Sequence, residues 1–225
     1  MKTLNLIVAF LLLFSVSACE ADNGMGPESP MNDEAAAFTT MQNEITAMPA
    51  ADLSDEEIAG LVLMREEEKL ARDVYLYFHD LYGLRIFENI AASEARHMSA
   101  IKTLLDKYGI EDPIVSDARG VFTDTHLADL YTQLTTTGAA GLLDALKVGA
   151  TIEDLDIKDL MDLSEETDAE DFLFVYDNLT RGSRNHMRAF YGQISSNGGS
   201  YEAQFISSEL LKDIVDSPRE RGGRR

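Results

Sequence analysis

Apolar positions along the chain fall into runs of helical spacing, and polar residues break each run near its middle. In one run, Phe87, Ile90, Glu94, His97, Met98, Ile101, Leu104, Leu105 and Tyr108 share a face. Side chains three and four residues apart on a helix lie one above the other, so Glu94 and His97 stand inside an apolar stripe. Clean period-two alternation and β-branched runs are missing from the sequence, so no strands are predicted.

Ser54-Asp55-Glu56-Glu57 reads as an N-cap followed by acids in a first turn, and predicts a helix from there to about Tyr82. Gly83 ends it. A second helix is predicted from about Ile86 to Tyr108, closed by Gly109 and Pro113. Residues 110–138 read as a long connection holding a short helix from about Thr125 to Leu134. A third long helix runs from about Gly141 to Leu163 and a fourth from about Ala169 to Ser195; residues 201–216 add a short terminal helix. Two short corners and one long crossover predict an all-α fold, an antiparallel four-helix bundle whose second-to-third connection is long and contains a short helix.

The other stripes are interrupted in the same way. On the third helix, Leu142, Leu146, Gly149, Leu160 and Leu163 surround Glu153, with Asp156 at the edge. On the fourth, Phe172, Val175, Leu179, Gly182, Ala189 and Phe190 surround His186, and Ser183 precedes it by three. On the first, the face of Leu61, Met64, Ala71, Tyr75, Phe78 and Tyr82 accepts either Glu67 or Glu68, and periodicity does not separate them; Glu66 faces away. Taken singly, each has a bland explanation. A buried Glu is usually salt-bridged, with Arg65, Arg72, Arg96 and Arg184 as candidate partners, and a lone core His is usually satisfied by hydrogen bonds. Taken together they bring several carboxylates to a common depth, where they cannot all stay ionised without cations between them. Two divalent ions with imidazole completing each site resolve the repulsion. His79 lies about three turns, or about 16 Å, from Glu68 and reads as a cap at the bundle end. His126 opens the short connecting helix and reads as exposed.

The chain has 225 residues, 45% of them hydrophobic, which suffices for one domain with tails. Its formal net charge of −21 excludes the basic footprint of a nucleic-acid-binding protein and favours cations. Lys2, the short apolar run Leu6–Val16 and Val16-Ser17-Ala18-Cys19 read as a lipoprotein signal peptide at 1–18 with lipid on Cys19, in preference to an ordinary signal with an incidental cysteine. That places the protein in a bacterial cell envelope, anchored to a membrane and facing the periplasm or exterior. Cys19 is the one cysteine, so no disulfide forms within the chain. Residues 19–53, with Pro27, Pro30 and Pro49, read as a flexible tether; its methionines Met25, Met31, Met41 and Met48 are a weaker signal for soft metals. The bundle is expected over 54–216, and 217–225 as a disordered basic tail that folds back on the acidic body.

Four segments carry a family resemblance: Glu66–Tyr75, Phe87–Met98, Ile152–Ile157 and Gly182–Phe190. Over about residues 55–195 the chain resembles the ferritin-like superfamily, its rubrerythrin-type branch, and more narrowly a family of secreted bacterial ferritin-like domains of unknown function. The resemblance implies a Glu followed seven positions later by Tyr on the first helix, matched by Glu68 and Tyr75, and so selects Glu68 over Glu67. It implies Glu-x-x-His on the second helix (Glu94, His97), a Glu on the third (Glu153), and a second Glu-x-x-His on the fourth. There the chain departs, since Ser183 stands where the carboxylate belongs; Asp156 is the candidate replacement.

The metal ligands implied are Glu68, Glu94, His97, Glu153, Asp156 and His186, with Tyr75 hydrogen-bonded to one of them. Two iron ions are the first expectation, with manganese, zinc or copper as alternatives. Three functions follow: a di-metal protein reacting with oxygen or peroxide and fed by an external electron donor, a surface lipoprotein that sequesters metal without turnover, and a structural bundle with a degenerate site. A phosphate-binding Gly-rich loop and a nucleophile elbow are missing from the sequence.

Overall fold

The computed structural model describes residues 30–221, side chains from residue 39 onward. Among them are seven helices and no strand: α1 (Pro30–Ala47), α2 (Asp55–Tyr82), α3 (Arg85–Tyr108), α4 (Thr125–Gly138), α5 (Leu142–Glu165), α6 (Glu170–Ser196) and α7 (Ser208–Asp216). The all-α expectation is met. The signal segment, Cys19 and residues 222–225 lie outside the described residues.

Helix ends follow their local chemistry. Ser54 accepts from Glu57 N–H at 3.1 Å while Glu57 Oε2 accepts from Ser54 N–H at 2.7 Å. This reciprocal cap contributes about 1 kcal/mol. Gly83 takes the left-handed conformation, φ 65°, which other residues adopt only with strain, and so closes the corner between α2 and α3.

The four long helices pack in the cyclic order α2–α3–α6–α5, with α4 against α2 and α5, α1 against α3 and α6, and α7 against α6. Their apolar faces form two clusters. One holds Val74, Phe78, Phe87, Ile90, Leu146, Ile157, Met187 and Phe190; the other holds Leu61, Met64, Ile101, Leu104, Leu160, Phe172 and Leu179. Chain direction follows: α2 and α6 run from the second cluster to the first, whereas α3 runs from the first to the second. Between the clusters lies a layer of buried polar side chains, among them Glu68, Glu94, His97, Ser183 and His186.

The structure adds detail to three segments. The segment read as a tether contains α1, whose Ile45 is fully buried against the second cluster; Lys107 Nζ donates to Ile45 O at 3.0 Å, in the helix's last turn, and to Met48 O at 2.9 Å just beyond it. The terminal helix starts at Ser208, not near 201, because Asp154 accepts from Tyr201 Oη (2.7 Å) and from the backbone N–H of Gln204 (2.6 Å) and Ile206 (2.9 Å), holding that stretch in a bend outside any helix. In the described part of the tail, acidic Glu220 accepts from Arg184 and Arg188 of α6.

The long crossover is held by a second, polar face of α2. Glu66 is buried and accepts from the N–H of Thr123 (2.5 Å) and Asp124 (3.0 Å). Lys69 is fully buried, donating to Asp73 at 2.6 Å and to Ala118 O at 2.9 Å, 4.5 Å from the Phe122 ring centre. Arg65 donates twice to Asp112, at 3.1 and 3.0 Å. Buried charges persist only when paired in this way.

Candidate metal centre

α2 contributes Glu68, α3 Glu94 and His97, α5 Glu153 and α6 His186 to the polar layer. Glu68, Glu94 and Glu153 are fully buried, and His97 and His186 are 9% and 8% exposed. His97 Nδ1 lies 2.7 Å from Glu94 Oε2 and 3.1 Å from Glu68 Oε2. His186 Nδ1 lies 2.8 Å from Glu94 Oε1 and 3.3 Å from Glu153 Oε2. The result is two triads, Glu68–Glu94–His97 and Glu94–Glu153–His186, each with ligand atoms within 4.8 Å of one another and able to hold a metal ion. Glu94 belongs to both, one oxygen to each.

Proximity does not satisfy these oxygens. Both oxygens of Glu94, Oε1 of Glu68 and Oδ2 of Asp156 are buried without a hydrogen-bond partner. The imidazole nitrogens are close to Glu94 but not aligned to donate to it. Donors sharing one ion at about 2.1 Å stand about 3 Å apart, which is the spacing seen here. Leaving such groups unmatched costs about 1–3 kcal/mol each, more if charged.

The electrostatics show the same crowding. Burial, outweighing the pull of His97 and reinforced by Glu94 and Glu153, raises Glu68 to about 7. Burial raises Glu153 as well, against the pull of His186. Asp156 is held well above the carboxylate range, by burial first and then by Glu68, Glu153 and Glu94. Glu94 is the exception: burial would lift it, but His186 and His97 together bring it down. Burial would lower both imidazoles, yet the carboxylates win, raising His97 well above its ordinary value and His186 to about 10. Burial thus draws Glu68, Glu153 and Asp156 toward their neutral forms, and binding a metal to such groups would release protons.

Neighbouring groups fix the arrangement. Tyr75, fully buried on α2, donates to Glu153 Oε1 at 2.6 Å. The two imidazoles stack with ring centroids 5.6 Å apart and planes at 28°. Gly182 gives His97 its space: a Cβ there would lie 2.5 Å from His97 Nε2. The sequence placed Gly182 on the α6 stripe but carried no signal of this contact, which depends on how closely α3 and α6 approach.

The remaining candidates separate. Asp156 is buried at 4% exposure but belongs to neither triad. Ser183 is buried at 1% and its hydroxyl donates to Leu179 O at 3.3 Å. Glu67 is half-buried beside the layer and outside both triads, and burial, then Asp159, Glu68 and Asp124, push it to about 8. Three of the arginines considered as partners for the buried acids are engaged elsewhere: Arg65 with Asp112, Arg72 with Asp73 and Asp117, and Arg184 with Glu220. His79 sits at the end of α2, its Nδ1 3.3 Å from Leu84 O, and His126 is exposed.

Fold and site together define an all-helical bundle with two buried carboxylate–histidine triads that share one glutamate. A family model described as an uncharacterized protein domain (DUF2202) matches residues 57–218, and the chain belongs to that family. The uncharacterized protein MJ0754 of Methanocaldococcus jannaschii is 51% identical over 185 residues, covering 82% of this chain and 100% of that protein. The crystal structure of the hypothetical protein MJ0754 from Methanococcus jannaschii DSM 2661 is similar with a TM-score of 0.76 and 51% identity, over 77% of this chain and 99% of that chain.

Proposed function

We propose that the protein is a ferritin-like di-metal carboxylate protein whose two ions, iron first and manganese next, sit in the two triads and support oxygen- or peroxide-linked redox chemistry. The observation that carries the reading is Glu94, whose two buried oxygens each face a different imidazole without a hydrogen bond. Mixed oxygen and imidazole donors suit iron and manganese, and zinc or copper less specifically. Bound metal would supply the electron transfer to oxygen or peroxide. The chain's own residues would do the rest. Glu94 would serve both positions, Glu68 and His97 would hold one ion, Glu153 and His186 would hold the other, and Tyr75 orients Glu153. The surrounding apolar clusters exclude water. Cys19 is the one cysteine, so a thiolate-ligated electron-transfer centre of several cysteines cannot be built from this chain, and turnover requires an external electron donor.

A second reading, metal sequestration without turnover, is favoured by Ser183, which removes a carboxylate from the α6 side. Loading with Fe2+ and exposure to peroxide separates the two. A visible absorption change that appears and decays with peroxide supports redox chemistry; a loaded protein that stays spectrally silent supports sequestration.

The leader Leu6–Val16 followed by Val16-Ser17-Ala18-Cys19 supports lipid attachment at Cys19 and a place in the cell envelope. Palmitate labelling that disappears in Cys19→Ala tests it. Among the described residues no helix is long and apolar enough to cross a membrane.

A further inference from the structure

We propose that Glu67, Asp156 and Asp159 form an outer carboxylate station that passes divalent cations between solvent and the two triads. The inference rests on the two-ion reading above.

α5 places Glu153, Asp156 and Asp159 at steps of three residues, along one side of the helix. Their exposure grows along the row: Glu153 is at 0%, Asp156 at 4%, and Asp159 is half-buried. The row therefore climbs from a triad ligand to the surface. Asp156 stands in the middle, in neither triad, with a buried Oδ2 that has no hydrogen-bond partner. α2 packs against α5 and carries Glu67, next to Glu68, where burial and then the charges of Asp159, Glu68 and Asp124 raise its carboxyl.

What separates this group from structural acids is the lack of an ion pair among the described residues, although the charge of Lys158 acts on Asp159. On the opposite face of α2, Glu66 accepts from two backbone N–H groups and Asp73 pairs with Lys69 and Arg72. Among the described residues Glu67, Asp156 and Asp159 form no ion pair, and Lys158, adjacent to Asp159, is turned to Asp162. A fold that needed these acids for packing would have paired them. Oxygen donors without imidazole suit hard divalent cations and bind first-row metals more weakly than the triads do. Such a station collects ions and releases them inward.

The test is stopped-flow uptake of Co2+, followed by its visible absorption, in the full chain and in Glu67→Gln/Asp159→Asn. Both substitutions are isosteric and lie outside the triads, and Asp156→Asn serves as a second variant. The expected result is unchanged final Co2+ content with uptake slowed about tenfold, the scale of local electrostatic focusing. Glu209→Gln/Asp213→Asn on exposed α7 removes the same charge at a distance and should keep the wild-type rate. Wild-type uptake in both station variants overturns the inference, as does equal slowing in the α7 control, which would assign the effect to net charge. Loss of final Co2+ content in Asp156→Asn or Glu67→Gln/Asp159→Asn also overturns it, by making these acids ligands. A wild-type protein that takes up no Co2+ overturns the two-ion reading, and this inference with it.

Discussion

His97 and His186 stack at 5.6 Å between ring centroids, and the carboxylate of Glu94 reaches the Nδ1 atom of each, at 2.7 and 2.8 Å. One glutamate thus ties α3 to α6 through a layer that interrupts the apolar core. In the metal-free protein this is a liability, because the same layer holds Glu68, Glu153 and Asp156 buried. Bound cations would convert it into a clamp. Saturating metal should therefore raise the melting temperature, by the equivalent of about 2.7 kcal/mol at a hundred times Kd. Thermal melts with and without chelator check this, and identical curves would leave the layer without a cation.

Gly182 should be intolerant of a side chain. Gly182→Ala puts a Cβ 2.5 Å from His97 Nε2, so the ring or the helix must shift. The expected cost is about 1–3 kcal/mol of stability, together with loss of metal from the Glu68–His97 side. Denaturant titration and metal analysis of the variant report the two effects separately.

Tyr75→Phe removes the hydroxyl that donates to Glu153 at 2.6 Å and leaves the rest of the packing in place. Affinity at the Glu153–His186 position should fall about 10–100-fold, the usual effect of losing a group that orients a ligand. Competitive metal titration measures it. Unchanged affinity would mean that Glu153 is held by its helix alone.

The tail supplies a pH prediction. Hydrogen bonds from Arg184, outweighing burial and joined by Arg188, bring Glu220 down to about 2. An unfolded Glu titrates near 4.3. Because the folded value is the lower one, the stabilisation is fully present above the unfolded value and is lost as pH falls through about 2. Stability of the wild type and of Glu220→Gln should therefore differ by a constant amount at neutral pH, converge below about 4, and coincide under strongly acidic conditions. Urea titrations across that range test it.

Much of this was legible in the sequence because each signal was local. The Ser54 cap and the helix stops at Gly83 and Gly109 are read from residue type, and the polar breaks at Glu94, His97, Glu153 and His186 from spacing. What was not legible depends on partners distant in the chain. Glu67 and Glu68 are one residue apart, and both border the apolar stripe of α2; only the approach of α3 and α5 makes Glu68 the fully buried one. The buried charges Glu66, Lys69 and Asp73 resemble an exposed face until the crossover is laid over them. α1 was concealed by the prolines at its start and on either side of it, and its packing rests on Ile45 meeting the second apolar cluster. Asp156 follows Glu153 by one turn, as a second ligand would, yet the structure leaves it outside both triads.

Glu68→Ala and Glu67→Ala should accordingly separate. Glu68 belongs to a triad, so its loss should empty one position at equilibrium, whereas loss of Glu67 should leave the final metal content intact. The reverse order would reassign the α2 ligand.

The central claim is that the two triads hold two ions bridged by Glu94. Its most direct test is metal analysis by mass spectrometry on tag-free protein produced with iron, manganese, zinc and copper all supplied, beside a folded Glu94→Gln variant. The account predicts about two equivalents of iron or manganese in the wild type, and loss of both in the variant, since Glu94 serves both triads. A wild type that binds no metal under any supply, or a Glu94→Gln variant that keeps its full complement, would contradict it.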